Sequence, residues 1–235
     1  FTDNHLDELS EPTDVIVDRA TNSLLICDRE NRRVLRWPRC PALRQFEIAL
    51  ADTDCPGLTM DDQGALYVSI VEEHEVRRFD RDDDQNGTIV AGGHGQGADF
   101  DQLNHPSFLF VDAQFTVYVS DSDNHRVMAW MKRASEGMVV ADGNGKGDSL
   151  EQLYYSKGVW VDASGHIYVA DKGNARVMRW EKGAKQGTVI AGGNGNGIAM
   201  NQLSGPNGLF FDRHGHLYVA DHYNHRIQRF SLVAD

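Results

Sequence analysis

Ten histidines and three cysteines in 235 residues raise the question of a metal first. Zinc asks for imidazole or thiolate ligands at short fixed spacings, and neither HExxH nor a paired CxxC occurs. Calcium asks for convergent oxygens, and Asp82-x-Asp84-x-Asn86-Gly87 is the opening half of a calcium loop. Its twelfth position is Gly93 where a bidentate Glu belongs, so Asp82, Asp84 and Asn86 read first as a solvated hairpin tip and second as a calcium site. The stretches AGGHGQG from Ala91, ADGNGKG from Ala141 and AGGNGNG from Ala191 have the glycine content of a phosphate loop. That chemistry needs a following helix whose N-terminus meets the phosphate. Each stretch instead runs into a Gln-Leu pair: Gln102-Leu103, Gln152-Leu153 and Gln202-Leu203. The glycines read as connections that permit positive φ. No nucleophile elbow is present. No catalytic residue, metal or cofactor is therefore assigned.

Cys27, Cys40 and Cys55 form an odd set, which leaves at least one thiol unpaired in a monomer. The Cys40/Cys55 spacing permits a disulfide. The strand pattern places the two at opposite ends of one strand, ~15 Å apart, too far for a bridge unless the loops fold back. Both readings stay open, and the compartment with them. A net charge of −12 disfavours RNA or an anionic membrane surface unless basic residues gather on one face. No apolar run is long enough to span a bilayer as a helix, and the opening FTDNHLDELSEP is polar and acidic, unlike a leader.

Any site must be positioned by a repeat, which dominates the sequence. Segments beginning at Pro106, Ser156 and Pro206 align closely, with Asp112, Asp162 and Asp212 spaced by 50 residues. Looser copies begin at Pro12 and Pro56. A full copy holds four strand-like runs; in the fourth these are GVWVD, HIYVAD, RVMRW and GTVIAGG. The first two are near-continuous apolar runs and the third alternates, with turns such as Ser164-Gly165 and His214-Gly215 between the first and second. This predicts an all-β, five-bladed β-propeller of four-stranded antiparallel blades in one domain. The repeats span approximately 12–55, 56–105, 106–155, 156–205 and 206–235.

The runs YVADKGNARVMRW and YVADHYNHRIQRF resemble the NHL repeat, whose Asn-His-Leu-like stretch stands here as Asn124-His125-Arg126 and Asn224-His225-Arg226. The resemblance recurs five times and covers nearly the whole chain. It implies a family that includes RNA-binding domains, protein-binding domains, extracellular sensors and a zinc-dependent lyase. In the lyase relatives histidines from separate blades converge on the channel. His105 is the best candidate here, but the equivalent positions are Glu11, Cys55, Tyr155 and Gly205, so no three-histidine set results.

Comparison among the copies separates constant from variable positions. An Asp ends the second strand in four copies and an Arg follows five residues later: Asp28/Arg33, Asp121/Arg126, Asp171/Arg176 and Asp221/Arg226. In the second copy both are lost together, to Ile70 and Glu75. This predicts an ion pair bracing each turn, supported by Asn31, Asn124, Asn174 and Asn224. The residue after each entrance proline or its equivalent varies instead: Thr13, Gly57, Ser107, Lys157 and Asn207. A ligand is expected over the channel mouth at Thr13, Ser107, Lys157, Asn207 and Tyr223. The fifth copy reaches RFSLVAD without an equivalent of GTVIAGG. Its blade is expected to be three-stranded, to add a short strand from Leu232 to Ala234, to borrow one from another molecule, or to be cut short because the chain is a fragment of something longer; an unpaired edge favours self-association.

The resulting expectation is a non-catalytic interaction scaffold, not an enzyme, binding a protein, peptide or small ligand on the loop face. A zinc-dependent lyase-like or hydrolytic enzyme with a channel-mouth site comes second, and an RNA-binding NHL domain third. Nucleic acid and membrane are not the expected partners.

Overall fold

A computed structural model describes residues 8–40, 46–81, 86–142 and 144–232. Short runs of three to seven residues, each stopped by a polar turn, give five antiparallel sheets. Blade one comprises β1 (Pro12–Asp18), β2 (Ser23–Asp28), β3 (Arg33–Pro38) and β4 (Glu47–Leu50). Blade two comprises β5 (Leu58–Met60), β6 (Leu66–Ile70), β7 (Glu75–Phe79) and β8 (Thr88–Gly92). Blade three is β9 (Pro106–Val111), β10 (Val117–Asp121), β11 (Arg126–Trp130) and β12 (Met138–Ala141). Blade four is β13 (Ser156–Val161), β14 (Ile167–Asp171), β15 (Arg176–Trp180) and β16 (Thr188–Gly192). Blade five has three strands: β17 (Pro206–Phe211), β18 (His216–Asp221) and β19 (Arg226–Ser231). The chain is a five-bladed, all-β propeller. Ala234, the far end of the short closing strand expected from sequence, lies outside the described residues.

Strands pair in sequence order, and the first strands touch one another, β1 on β5, β5 on β9, β9 on β13 and β13 on β17. They therefore surround the axis. The core is a series of wedges between blades. Between the third and fourth, Val127, Ala141 and Leu153 pack against Val159, Val161, Val169 and Trp180. Each large apolar side chain buried this way contributes ~1.5–3 kcal/mol.

Leu58 pairs with Val68 as Leu109 pairs with Val119. Gly57 therefore occupies the axial position of Asp14, Phe108, Gly158 and Gly208, while Pro56 takes the place of Ser107. The second copy is thus shifted by one residue from the alignment that the prolines suggest. Close approach explains Gly57 and Gly158, whereas a Cβ on Gly208 would meet only ordinary contacts at 3.8–4.0 Å. A Cβ on Gly158 would lie 2.6 Å from the Asn207 carbonyl oxygen and 2.9 Å from the Leu209 nitrogen. Gly158→Ala is expected to cost about 1–3 kcal/mol by overpacking the inner strands. A urea midpoint equal to that of the parent would show that these strands have room to part.

The disulfide joins Cys27 to Cys55, with Cα atoms 5.5 Å apart, and Cys40 is free and exposed. The Cys40–Cys55 alternative is thereby corrected. Cys27 lies near the loop-face end of β2, beside the entrance to blade two. Cys40 follows β3 at the opposite face, with all of β4 between it and Cys55.

Candidate functional site

The turns between second and third strands share one face with the loops between blades, and a single polar network joins the two. Arg33, Arg126, Arg176 and Arg226 each donate from Nε to Oδ2 of Asp28, Asp121, Asp171 and Asp221 at 2.7 Å. The same oxygens accept from Asn31, Asn124, Asn174 and Asn224 at 2.8–2.9 Å. The second oxygen of Asp121, Asp171 and Asp221 accepts the backbone amide of Asn104, Tyr154 and Ser204. Arg176 also donates to the carbonyls of Asp148, Ser149 and Gln152 in the glycine-rich connection. Each such aspartate thus fixes its own turn and the incoming loop, and both carboxylate oxygens are occupied. Burial pushes Asp121 and Asp171 upward in spite of these donors. For Asp221 burial acts in the same sense but is outweighed by its bonds, and the group titrates below the usual carboxylate range. In blade two the buried Glu75 turns to Arg77 instead.

This frame surrounds a cluster of charged and hydroxyl groups at the channel mouth. Ser107 Oγ and Ser122 Oγ are 2.6 Å apart, and Ser122 donates to the Ser156 carbonyl at 2.7 Å. Lys157 Nζ donates to Ser122 Oγ at 3.3 Å. Burial, then the charge of Lys172 and that of Arg29, push the Lys157 amine down to about 8, with Asp123 acting in opposition. Arg29 itself pairs with Asp54 at 2.8 Å, and Asp123 with His105 at 2.8 Å. His105 also stands edge-on to His74, whose pKa is lowered by burial and by His105. Lys172 lies over the Tyr223 ring, 5.3 Å from its centroid. Asp14 lines a cleft of about 500 Å³ between blades five and one. Burial pushes it up to about 6, against the pull of the Leu58 and Val15 amides.

Thr13, Ser107, Lys157 and Asn207 occupy equivalent places on the inner strands, but they do not act alike. Thr13 donates to the Cys55 carbonyl at 2.9 Å, and Ser107 is buried against Ser122. Asn207 faces the cleft beside Asp14, and Tyr223 is exposed on its turn. Lys157 brings a basic group into the mouth. The neighbours that sequence reasoning missed, Arg29, Ser122 and Lys172, all directly follow a brace aspartate. Variation immediately after a constant Asp was the signal available.

The other polar candidates are placed as follows. His166 and His216 sit at the opposite face, each 2.8–2.9 Å from its hairpin aspartate, Asp162 or Asp212. Among the described residues no three His, Cys, Asp or Glu side chains gather closely enough to hold a metal ion. Asp82 and Asp84 lie outside those residues; of that run, Asn86 accepts Arg77 Nη1 on its carbonyl at 2.8 Å. Among the described residues no helix is long and apolar enough to cross a membrane.

Inner strands ringed about an axis, with braced turns and interblade loops on one face, define a β-propeller. Residues 203–230 match the family model described as NHL repeat, which places an NHL repeat in the fifth blade of the propeller. An auxiliary nutrient binding protein from Bacteroides thetaiotaomicron superposes with a TM-score of 0.74 at 16% identity, over 94% of this chain and 59% of that one. A gluconolactonase from Xanthomonas campestris gives 0.70 at 18% identity, over 91% and 70%. A catalytically inactive virginiamycin B lyase from Staphylococcus aureus, solved with quinupristin, gives 0.64 at 9% identity, over 94% and 67%. The chain thus spans about three-fifths of the first of these proteins. Among curated sequences none matches. The expectation that the chain is not an enzyme is overturned: proteins with this fold are named as a gluconolactonase and a lyase. A propeller scaffold gives no ground for setting catalysis aside.

Proposed function

We propose that the channel mouth on the loop face binds a small ligand through an anionic group, with Lys157 as its anchor. The observation that carries this reading is the Lys157 amine. It is sunk beside the axis, hydrogen-bonded to a neutral hydroxyl, and within the field of Lys172 and Arg29. No carboxylate ion-pairs with it among the described residues. Burial and the charges of Lys172 and Arg29 disfavour the protonated amine, a cost that a bound anion offsets. The names of the fold relatives, nutrient binding and gluconolactonase among them, are in keeping with a small ligand.

Titration calorimetry with gluconate and with inorganic phosphate tests the reading. An anion binds the protonated amine, so affinity is full below about pH 8 and is lost as pH rises through that value. Between pH 7 and pH 9 the dissociation constant is expected to rise about tenfold. Lys157→Met is expected to lose at least about tenfold and to abolish that pH dependence. Binding unchanged in Lys157→Met, or no binding of either anion, sinks the proposal.

The lowered amine also favours a second reading, in which the neutral Lys157 amine takes a proton from a water that attacks the carbonyl of a bound lactone and returns it to the ring oxygen as the C–O bond breaks. Turnover of gluconolactone that falls in Lys157→Met, with the folded state intact, would support this use. A turnover rate unaffected by the substitution would remove it.

A further inference from the structure

The hairpin between first and second strands carries an aspartate in every blade, and four of the five have a basic partner. Asp18 pairs with Arg36 at 2.6 Å and Asp61 with Arg78 at 3.8 Å. Asp162 pairs with His166 at 2.8 Å and Asp212 with His216 at 2.9 Å. Asp112 has no ion pair among the described residues; its Oδ2 accepts the Tyr118 hydroxyl at 3.3 Å. Thr116 stands where blade four has His166. The third strand of blade three lacks a base as well. Across the sheet from Leu25, Tyr67, Tyr168 and Tyr218 stand Arg36, Arg78, Arg179 and Arg229. Across from Tyr118 stands Ala129. In blade two Arg78 Nε donates to the Tyr67 hydroxyl at 3.1 Å, with the guanidinium 5.9 Å from the centre of that ring. Burial and then the charge of Asp112 push the Tyr118 hydroxyl up to about 12 with no cation opposing them. At Tyr67 and Tyr168 an arginine acts in opposition.

Asp112, Tyr118 and Ala129 all line the groove between blades three and four, about 1670 Å³ in volume. Five carboxylates and two lysines line it, so its charge favours a cation. Neither lysine, Lys182 or Lys185, forms an ion pair with Asp112 among the described residues. Phe100, Met131 and Met138 also line the groove, and they are 57%, 58% and 47% exposed. We infer that this groove binds an arginine side chain of a partner polypeptide, set where the other blades carry an arginine of their own. Its guanidinium donates to the Asp112 carboxylate and the Tyr118 oxygen, and lies over the Tyr118 ring.

A polypeptide fits this groove better than a small cation does. Its volume exceeds the ~300–1,000 Å³ usual for a small-ligand site. A lone guanidinium would leave Phe100, Met131 and Met138 in water, whereas a segment with apolar residues beside its arginine covers them. Arginine suits the site better than lysine, because two acceptors and an aromatic face match a planar fork of donors and not a point charge. The groove opens at the hairpin face, opposite the channel mouth, so this site and the anion site proposed there stand or fall separately.

The probe is a labelled peptide, Val-Met-Arg-Trp-amide, the sequence in which blade four carries Arg179. Fluorescence anisotropy is expected to show saturable binding at one peptide per chain, with a Kd below about 1 mM. Citrulline in place of the arginine keeps the shape and removes the charge, and should weaken binding at least about tenfold. On the chain, Ala129→Arg supplies the missing side chain from within and should likewise weaken binding at least about tenfold. Asp112→Asn keeps an oxygen for the Gln114 and Thr116 amides, so the turn persists, yet the lost charge should weaken binding at least about fivefold. The urea midpoint of each variant verifies that it is folded. No binding up to about 1 mM peptide, equal binding of the citrulline peptide, or undiminished binding to either folded variant overturns the inference. N-acetylarginine amide binding as tightly as the peptide overturns the choice of a polypeptide and assigns the groove to a small cation.

Discussion

Removing the Cys27–Cys55 bridge is expected to lower the stability of the propeller by about 3.5 kcal/mol. The two cysteines are separated by 28 residues, and closing a loop of that length removes most of this amount from the entropy of the unfolded chain. Both are fully buried, in a cluster with Leu25, Val34, Leu50, Leu58 and Val68. The bridge also joins β2 to the entrance of blade two, where β5 is only three residues long and the Asp–Arg brace is replaced. The least regular blade is thus covalently tied to its neighbour. Guanidinium unfolding of Cys27→Ala/Cys55→Ala should show the loss, with a fall in melting temperature of about 7–14 °C for a domain of this size. Cys40→Ser alters an exposed thiol and serves as the control. If the double variant unfolds at the parent's midpoint, the bridge does not form in solution. A bridge that does form ties folding to an oxidising environment.

The difference between what the sequence revealed and what it concealed lies in the range of the interactions involved. Strand order and blade number were legible because each depends on spacing within one repeat. The Asp171/Arg176 pair was legible for the same reason: its partners are five residues apart and recur. Partners in different repeats were not. Cys27 and Cys55 meet because the end of one blade's second strand abuts the next blade's entrance, and neither spacing nor flanking prolines record that. Pro56 misled the alignment, since a proline marks the start of an extended run without fixing which residue first faces the axis. Only the pairing of Leu58 with Val68 settles it. The mouth was legible in part. Variation among Thr13, Ser107, Lys157 and Asn207 pointed to one ring of equivalent positions on the inner strands. Which of them meets solvent depends on the next blade, where Ser122 claims Ser107 and leaves Lys157 facing the channel.

Breaking one brace is expected to cost as much as the disulfide or more. Asp171 is fully buried, and its carboxylate accepts from Arg176, Asn174 and the Tyr154 amide at 2.7–2.8 Å. Asp171→Leu leaves the Arg176 guanidinium buried without its counter-charge, which costs about 3–5 kcal/mol. Arg176→Met likewise strands the carboxylate and gives up donors to three carbonyls of the preceding connection. The double variant removes both charges, so it should be more stable than the sum of the single losses implies, by about 2 kcal/mol. Blade two is the natural precedent: Ile70 and Glu75 replace the pair, and the blade keeps its four strands. Arg226 offers a graded comparison, because its side chain is 30% exposed against 7% for Arg176. Asp221→Leu should therefore cost less than Asp171→Leu, water taking up part of the stranded charge. Urea unfolding of the four variants decides the matter. Additive single losses would mean that each residue acts through separate contacts. Equal costs at Asp171 and Asp221 would mean that burial does not set the strength of the brace.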